Sequence, residues 1–317
     1  MRHVVLITRG LPHLNELWLK NFNSYKEHVD ELHVMVDTAN SDEPYEIAKE
    51  IYKGHDVHKW GKRGGSGEFF SSFVERSGME AWGDDPVMLA EDDCLILDPK
   101  ALSKNLEDIE QDNYDIVGQA WDTPYKIFND YLQDNGKEPL EHNAIWINCL
   151  TLKASLFHQE RHTMAKMRLK KGDLIPVVDR PVTEDILRLN ELVVFAWKQI
   201  AEGKRIRFLP VNEGHFRGMH RKLNGDHFSN FSFHCVSASQ WDALLKPDKV
   251  ALTAASGPGD RWRISCKLAY WRFAIENSNI NRADNEAKLD YLRKEIRPDE
   301  AVEEYFYNHL ANKIPLR

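Results

Sequence analysis

The chain has 317 residues, of which 42% are hydrophobic and 29% charged, so it can bury one large core or two moderate ones. Its formal net charge of -8 argues against a general nucleic-acid binder, although an acidic protein can still carry a local basic surface. The four cysteines are far apart and form no Cys-x-x-Cys pair, which excludes a zinc-ribbon pattern and a disulfide framework. With no apolar run of membrane-spanning length and no signal-peptide pattern, the sequence predicts a cytoplasmic protein without membrane insertion.

The first forty residues alternate predicted strands and a helix. Residues 4–8 and 31–37 are apolar runs of strand length, and between them apolar side chains recur at helical spacing. This βαβ pattern favours a parallel sheet, which binds ligands at the carboxyl ends of its strands. Thr8, Arg9 and Asp37 are therefore placed at a candidate crevice, although Asp37 taken alone is more typical of a turn or cap.

A glycine-rich segment, residues 61–67, precedes an apolar segment of helical period. A glycine-rich loop that opens a helix leaves backbone N–H groups for an anion, and Lys62 and Arg63 add positive charge for a phosphate. The segment matches neither the phosphate-loop pattern nor Gly-x-Gly-x-x-Gly, so a flexible surface loop is the alternative.

The chain is organised around three adjacent carboxylates, Glu91, Asp92 and Asp93, between two apolar runs of strand length. Like charges at the end of a buried strand must neutralise, pair or bind a cation, which indicates a divalent-metal site with oxygen ligands. The alternative is a solvated turn. Helix capping is not required of them, because Asp98 and Pro99 provide the N-cap and first position of the next helix.

A second acidic pair, Glu184 and Asp185, follows Thr183 at the predicted start of a long helix that ends near Gly203. Acids in a first helical turn favour the helix dipole, so a capping role explains them when the pair is viewed alone. The functional alternative is a general base held at a helix N-terminus beside the crevice.

Residues 215–222 follow a predicted strand, 206–210, and contain two histidines, two arginines and a lysine. His215 and His220 are candidate metal ligands, and Arg217 is a candidate diphosphate contact. An exposed or structural role for these side chains is the alternative.

The last third is predicted to be helical, with helices over 261–277, 283–296 and 299–311. The segment 261–273 mixes basic and aromatic residues, which is typical of a surface for nucleic acid or an anionic glycan. The favoured interpretation is an amphipathic helix with its tryptophans in the core and its arginines in solvent.

In this order the features resemble a GT-A fold glycosyltransferase over roughly residues 1 to 225. The resemblance implies an α/β fold with a Rossmann-like, mixed, mostly parallel sheet flanked by helices. Residues 1–225 would then form the nucleotide-sugar-binding and catalytic domain. The resemblance does not cover residues 226–317, which their own pattern predicts to be a mainly helical C-terminal region, packed on that domain and contributing to the acceptor site.

In that family an Asp-x-Asp motif holds Mn²⁺ or Mg²⁺ on the diphosphate of a nucleotide sugar. By position, Glu91 and Asp93 are the outer members, although glutamate at the first position departs from the pattern and leaves Asp92 and Asp93 as an alternative pair. The resemblance implies Asp185, with Glu184 beside it, as the catalytic base of an inverting reaction.

The resemblance also implies that Asp37 contacts the nucleotide base and that His215 or His220 is a late metal or phosphate ligand. A UDP-sugar is the expected donor. The expected donor contacts are Thr8, Arg9, Asp37, Lys62, Arg63, Asp92 and Arg217.

Three functions follow as hypotheses. The first is a metal-dependent glycosyltransferase acting on a glycan; the sequence favours this enzyme class but leaves the acceptor open between a glycan and a DNA base. The second is the same chemistry on a hydroxymethylated base in DNA, as in bacteriophage enzymes; the basic and aromatic late region favours it and the acidic net charge opposes it. The third is a nucleotide- or nucleic-acid-binding protein without turnover, in which the acids are structural.

Overall fold

The computed structural model describes residues 1–38, 41–60, 73, 78–120, 124–146, 149–190, 192–209, 226–228, 232–235, 241–254 and 258–317. The strands are β1 (His3–Thr8), β2 (Glu31–Asp37), β3 (Asp56–Trp60), β4 (Pro86–Glu91), β5 (Cys94–Ile96), β6 (Ile116–Gln119), β7 (Leu150–Lys153), β8 (Met167–Lys170), β9 (Leu174–Ile175), β10 (Arg180–Pro181), β11 (Ile186–Leu189), β12 (Ile206–Leu209), β13 (Asp226–Phe228) and β14 (Ser232–Cys235). The helices are α1 (Pro12–Asn23), α2 (Glu43–Ile51), α3 (Pro99–Glu110), α4 (Lys126–Asp134), α5 (Ala154–Glu160), α6 (Val193–Ala201), α7 (Trp241–Leu244), α8 (Pro247–Ala254), α9 (Pro258–Glu276), α10 (Arg282–Ile296) and α11 (Glu300–Lys313).

The largest sheet in the described chain has seven strands in the order β12–β6–β7–β4–β1–β2–β3. Strand β7 runs antiparallel to both of its neighbours, and the remaining pairings, β12 with β6, β4 with β1, β1 with β2 and β2 with β3, are parallel. This confirms the predicted α/β, GT-A-like class: a mixed, mostly parallel sheet flanked by helices, with helices at the C-terminus. Strand β3 lies at one edge of this sheet.

Side chains alternate between the two faces of the sheet, and each face packs against helices. Along β1, Val4 and Leu6 belong to a core shared with α1 and α9, whereas Val5 and Ile7 belong to a core shared with α5 and α6. Since both faces of the central strands are buried, these strands are apolar throughout rather than alternating. The polar side chains of these strands therefore lie at the strand ends.

The C-terminal helices complete the first of these cores. Tyr270 and Trp271 of α9 are buried, and the Trp271 ring meets Trp241 edge-on at 4.7 Å between centroids. Arg272 instead pairs with Glu276 and Glu304, at 3.0 and 2.8 Å. The predicted core position of the tryptophan is therefore confirmed for Trp271, whereas Arg272 is half-buried and ion-paired rather than free in solvent.

In the part of the chain that the structure describes, no helix combines the length and the apolar character needed to cross a membrane.

Two predicted elements differ from the structure. The helix predicted from Thr183 begins only at Val193, and residues 186–189 form β11, which pairs antiparallel with β8. Packing of Leu189 and Val182 in the core around Trp197 favours the strand, and this contact is not visible in the local sequence. The apolar run over residues 144–151 likewise predicts a strand, but β7 begins only at Leu150, and Ile145 makes an isolated bridge with Ala120.

Gly10, in the loop that follows β1, occupies a position where a side chain meets Pro44. Its φ is +78°, and a Cβ there would lie 2.3 Å from the Cβ of Pro44 at the start of α2. We expect Gly10→Ala to lower the free energy of unfolding by about 2 kcal/mol, from left-handed backbone strain and overpacking together. Gly136→Ala is the matched control, because Gly136 has φ +70° and open space around it, and should cost about 1 kcal/mol. Urea unfolding of both variants measures the difference, and equal losses would rule out the packing contribution.

Candidate functional site

The carboxyl ends of three adjacent parallel strands bring the first predicted site residues to one edge of the sheet. In the pairing register, Ile7 of β1 lies opposite Glu91 of β4, and Thr8 lies opposite Val36 of β2, which precedes Asp37. The residues predicted to line a crevice therefore lie at the carboxyl ends of β1 and β2, next to the end of β4.

Asp92 is buried and held by the end of β1. Its Oδ2 accepts a hydrogen bond from the backbone N–H of Arg9 at 3.2 Å and lies 2.7 Å from the Thr8 hydroxyl, which also lies 2.7 Å from Oδ1 of Asn15. The N–H of Gly10 donates to the same hydroxyl at 2.9 Å. These contacts fix the turn between β4 and β5 against the loop that follows β1.

Burial, followed by the charge of the neighbouring Asp93, raises the pKa of Asp92 to about 7, against the opposing effect of the hydrogen bonds from Thr8 and Arg9. A hydroxyl carries one proton, so Thr8 can donate to only one of its two acceptors at 2.7 Å. When Asp92 is protonated, its carboxyl group can donate to the Thr8 hydroxyl, which then donates to Oδ1 of Asn15. Asp92 therefore anchors the acidic turn, with Glu91 and Asp93 on either side of it.

Asp93 is 5% exposed and Glu91 is half-buried. The backbone carbonyl between them, that of Asp92, accepts a hydrogen bond of 3.4 Å from the hydroxyl of Tyr270 on α9. This contact ties the C-terminal helical region to the acidic turn. Sequence reasoning missed Tyr270, because a tyrosine within an apolar helical pattern is indistinguishable from an ordinary core residue.

Carboxylate oxygens suit Mn²⁺ and Mg²⁺, so Glu91 and Asp93 fit as ligands that leave other positions of the ion to water and phosphate oxygens. The carboxylate oxygens of Glu91, Asp92 and Asp93 do not all lie within 4.8 Å of one another. Elsewhere in the described chain, His, Asp and Glu side chains form groups of three whose ligand atoms lie within 4.8 Å of one another. One group is His3, Glu31 and His33; the other is His33, Asp56 and His58.

This histidine and carboxylate cluster lies at the start of β1, β2 and β3, at the opposite end of the strands from Thr8 and Asp37. Sequence reasoning missed it. The available signal was residue spacing. Glu31 and His33 are two residues apart on β2, and Asp56 and His58 are two residues apart on β3, so each pair shares one face of the sheet, the face on which His3 lies.

Glu184 and Asp185 are exposed and lie in a bend before β11 rather than in the first turn of a helix. The backbone carbonyl of Asp185 accepts a hydrogen bond from the N–H of Lys171 at 3.3 Å, as part of the β8–β11 hairpin. The predicted helix N-terminal setting of this pair is therefore wrong, whereas its catalytic role stays a prediction. Lys62, Arg63, His215, Arg217 and His220 lie outside the described residues.

No family model and no curated protein matches the chain. Among solved structures, it is similar to TarS residues 1–349 from S. aureus (11% identity, 98% of this chain and 92% of that chain, TM-score 0.40). It is also similar to the mannosyltransferase PcManGT from Pyrobaculum calidifontis in complex with GDP-Man and Mn²⁺ (11% identity, 96% of this chain and 82% of that chain, TM-score 0.41). A third similar structure is 4-diphosphocytidyl-2C-methyl-D-erythritol synthase from Anaerococcus prevotii (13% identity, 66% of this chain and 88% of that chain, TM-score 0.38). Similarity at this level assigns no activity to the chain.

Proposed function

We propose that the chain is a metal-dependent glycosyltransferase that moves a sugar from a nucleotide-sugar donor, a UDP-sugar, to an acceptor hydroxyl. The observation that carries the proposal is the convergence of Thr8, Asp37, Glu91, Asp92 and Asp93 at the carboxyl edge of three adjacent strands. Nucleotides bind at this edge in open α/β sheets, and three clustered acids there require a cation or a proton.

Each residue at this edge has a part in the proposal. Glu91 and Asp93 hold the divalent ion, which when bound neutralises charge on the departing nucleoside diphosphate. Asp92 keeps both ligands in place through its contacts with Thr8 and the Arg9 amide. Asp37, at the end of β2, contacts the nucleotide base.

Asp185 is proposed as the general base that takes the proton of the acceptor hydroxyl, which makes the reaction inverting. Its exposed position in a bend leaves the carboxylate accessible to an acceptor. Glu184, exposed beside it, is the second candidate for the same role.

A glycan is the favoured acceptor over a DNA base. The DNA hypothesis requires a positive strip that includes Arg272, but that guanidinium is paired with Glu276 and Glu304. A paired arginine is a weak contributor to phosphate binding, because the phosphate must displace two carboxylates first.

Thermal unfolding with UDP-, GDP-, CMP- and dTDP-linked sugars, each with and without Mn²⁺, tests the proposal. We expect a UDP-sugar at a hundred times its dissociation constant to add about 2.7 kcal/mol of stability, and only with the metal present. Asp93→Asn keeps the shape of this buried side chain but removes a charged ligand, so it should abolish the metal-dependent gain.

Asp290→Asn is the matched control, because Asp290 is 77% exposed on α10, and it should respond as the parent does. Stabilisation that is independent of Mn²⁺ and of Asp93→Asn would contradict the metal site but retain donor binding. If no nucleotide sugar stabilises the protein under either condition, the glycosyltransferase proposal is wrong and a structural role for the acids replaces it.

A further inference from the structure

The amino ends of the strands carry a second polar cluster that the proposed reaction does not use. Pairing between β1 and β2 sets His3 beside Glu31, and pairing between β2 and β3 sets His33 beside Asp56. His3 is fully buried and His33 is 5% exposed, whereas Glu31 is 44% exposed and reaches solvent. Two buried imidazoles thus meet at one accessible carboxylate.

The distances in this cluster match those between ligands of a single ion. Nδ1 of His3 lies 3.1 Å from Oε2 of Glu31, and Nε2 of His33 lies 3.3 Å from the same oxygen. Ligands about 2.0 to 2.1 Å from a tetrahedral Zn²⁺ are separated from one another by about 3.3 Å. The ligand atoms of all three residues lie within 4.8 Å of one another.

The ring nitrogens are otherwise unsatisfied. Within the described chain, neither nitrogen of His3 and neither nitrogen of His33 makes a hydrogen bond of acceptable geometry. A buried imidazole with unsatisfied nitrogens is costly, and buried polar groups in folded proteins nearly always have a partner. An ion between the two rings would satisfy one nitrogen of each.

The other nitrogen of each ring faces a second carboxylate. Nε2 of His3 lies 3.5 Å from Oδ2 of Asp85, and Nδ1 of His33 lies 3.5 Å from Oδ2 of Asp56. Histidines that bind metals commonly present their second nitrogen to a carboxylate, which fixes the ring and increases its basicity. The same pattern occurs at both histidines of this cluster.

We propose that His3, Glu31 and His33 bind one first-row transition-metal ion of the zinc class at the amino edge of the sheet. Two imidazoles and one carboxylate favour Zn²⁺, Co²⁺ or Ni²⁺ over Mg²⁺ or Ca²⁺, which prefer oxygen ligands. The site is separate from the acidic turn, at the opposite end of β1. Bound there, the ion links β1 to β2 and stabilises the centre of the sheet.

Titration of the full-length protein, freed of any polyhistidine tag, with Zn²⁺ by calorimetry and with Co²⁺ by visible absorption tests the site. We expect one ion per chain, with Co²⁺ giving the intense bands of a tetrahedral site. Trp82 stacks on His3 at 3.8 Å between ring centroids, so Co²⁺ should also quench part of the tryptophan fluorescence, and Trp82→Phe should remove that part.

Glu31→Gln is the main variant, because an exposed side chain can lose its charge without unfolding the protein, and we expect affinity to fall at least tenfold. His33→Gln should abolish binding. Glu50→Gln, at an exposed glutamate of α2, is the matched control and should bind as the parent does. Asp93→Asn should also bind normally, which separates this site from the proposed donor site.

Three results would overturn the proposal. The first is the absence of saturable Zn²⁺ or Co²⁺ binding to the folded parent. The second is unchanged affinity in Glu31→Gln. The third is loss of binding in Asp56→Asn with retention in Glu31→Gln, which would place the ion in the neighbouring group formed by His33, Asp56 and His58.

Discussion

A fragment of residues 1–225 is expected not to fold cooperatively, although the resemblance to GT-A enzymes covers that length. The core beneath α1 is completed by buried side chains of α9, α10 and α11, including Trp271, Leu292 and Phe306. Removing them would expose the apolar faces of α1 and β1 to water. Since a large part of the hydrophobic stabilisation would be lost, the net stability of a few kcal/mol would not survive.

Polar contacts support the same expectation. Three side chains of α1 bond to the C-terminal region: Lys20 donates to the Asn277 carbonyl at 2.5 Å, Asn21 donates to the Pro315 carbonyl at 3.0 Å, and Glu16 accepts from the Ser278 hydroxyl at 2.5 Å. Their loss would leave one face of α1 without its partners.

Circular dichroism and urea unfolding of the fragment and the full chain measure the effect. The full chain should unfold in one cooperative transition, whereas the fragment should lack a transition and should regain one when residues 226–317 are added in trans. A fragment that unfolds cooperatively alone would establish 1–225 as an independent domain.

Local sequence signals predicted the parts of the fold that local interactions determine. Strand β4 and the helix after it followed from two apolar runs and from the Asp98-Pro99 pair, and the Asp98 side chain accepts hydrogen bonds from the N–H groups of Lys100 and Ala101. The βαβ pattern predicted Thr8 and Asp37 at the same edge of the sheet, because neighbouring parallel strands end at the same edge, and the pairing register confirms this. The hydrogen bond between Thr8 and Asp92 was not predicted.

Non-local contacts determined what the sequence could not predict. Thr183, Glu184 and Asp185 have the residue types of a helix start, but β11 forms instead because Ile186 to Leu189 pair with residues 167 to 170 on β8. A local pattern contains no information on a partner so far along the chain.

The histidine cluster is a clearer case of the same limit. His3 and His33 are thirty residues apart, and each one alone is typical of a structural histidine. Only the register of β1 on β2 sets both beside Glu31. Tyr270 meets the Asp92 carbonyl across a still longer separation, through the packing of α9.

Acidification is expected to weaken the contact between α1 and the C-terminal region through His13, whose ring meets Trp241 edge-on at 5.6 Å. Burial, and more weakly the charge of Lys288, lowers the pKa of His13 to about 4. An unfolded histidine has a pKa near 6.5, so between these values the unfolded chain binds more protons than the folded protein. Stability is therefore lost as the pH falls from about 6.5 to 4, by about 3 kcal/mol.

Other groups titrate in the same window, so the test must compare variants. Burial also lowers the pKa of His33 to about 4, which adds to the acid loss, whereas the raised pKa of Asp92, about 7, makes the opposite contribution because the folded state binds that proton more tightly. His13→Gln removes one titration and retains the others. The difference in unfolding free energy between parent and His13→Gln should therefore shift by about 3 kcal/mol between pH 7 and pH 4. His162→Gln, at an exposed histidine, is the control, and its plot of unfolding free energy against pH should run parallel to that of the parent. If the plot for His13→Gln also runs parallel to that of the parent, His13 does not cause the loss of stability in acid.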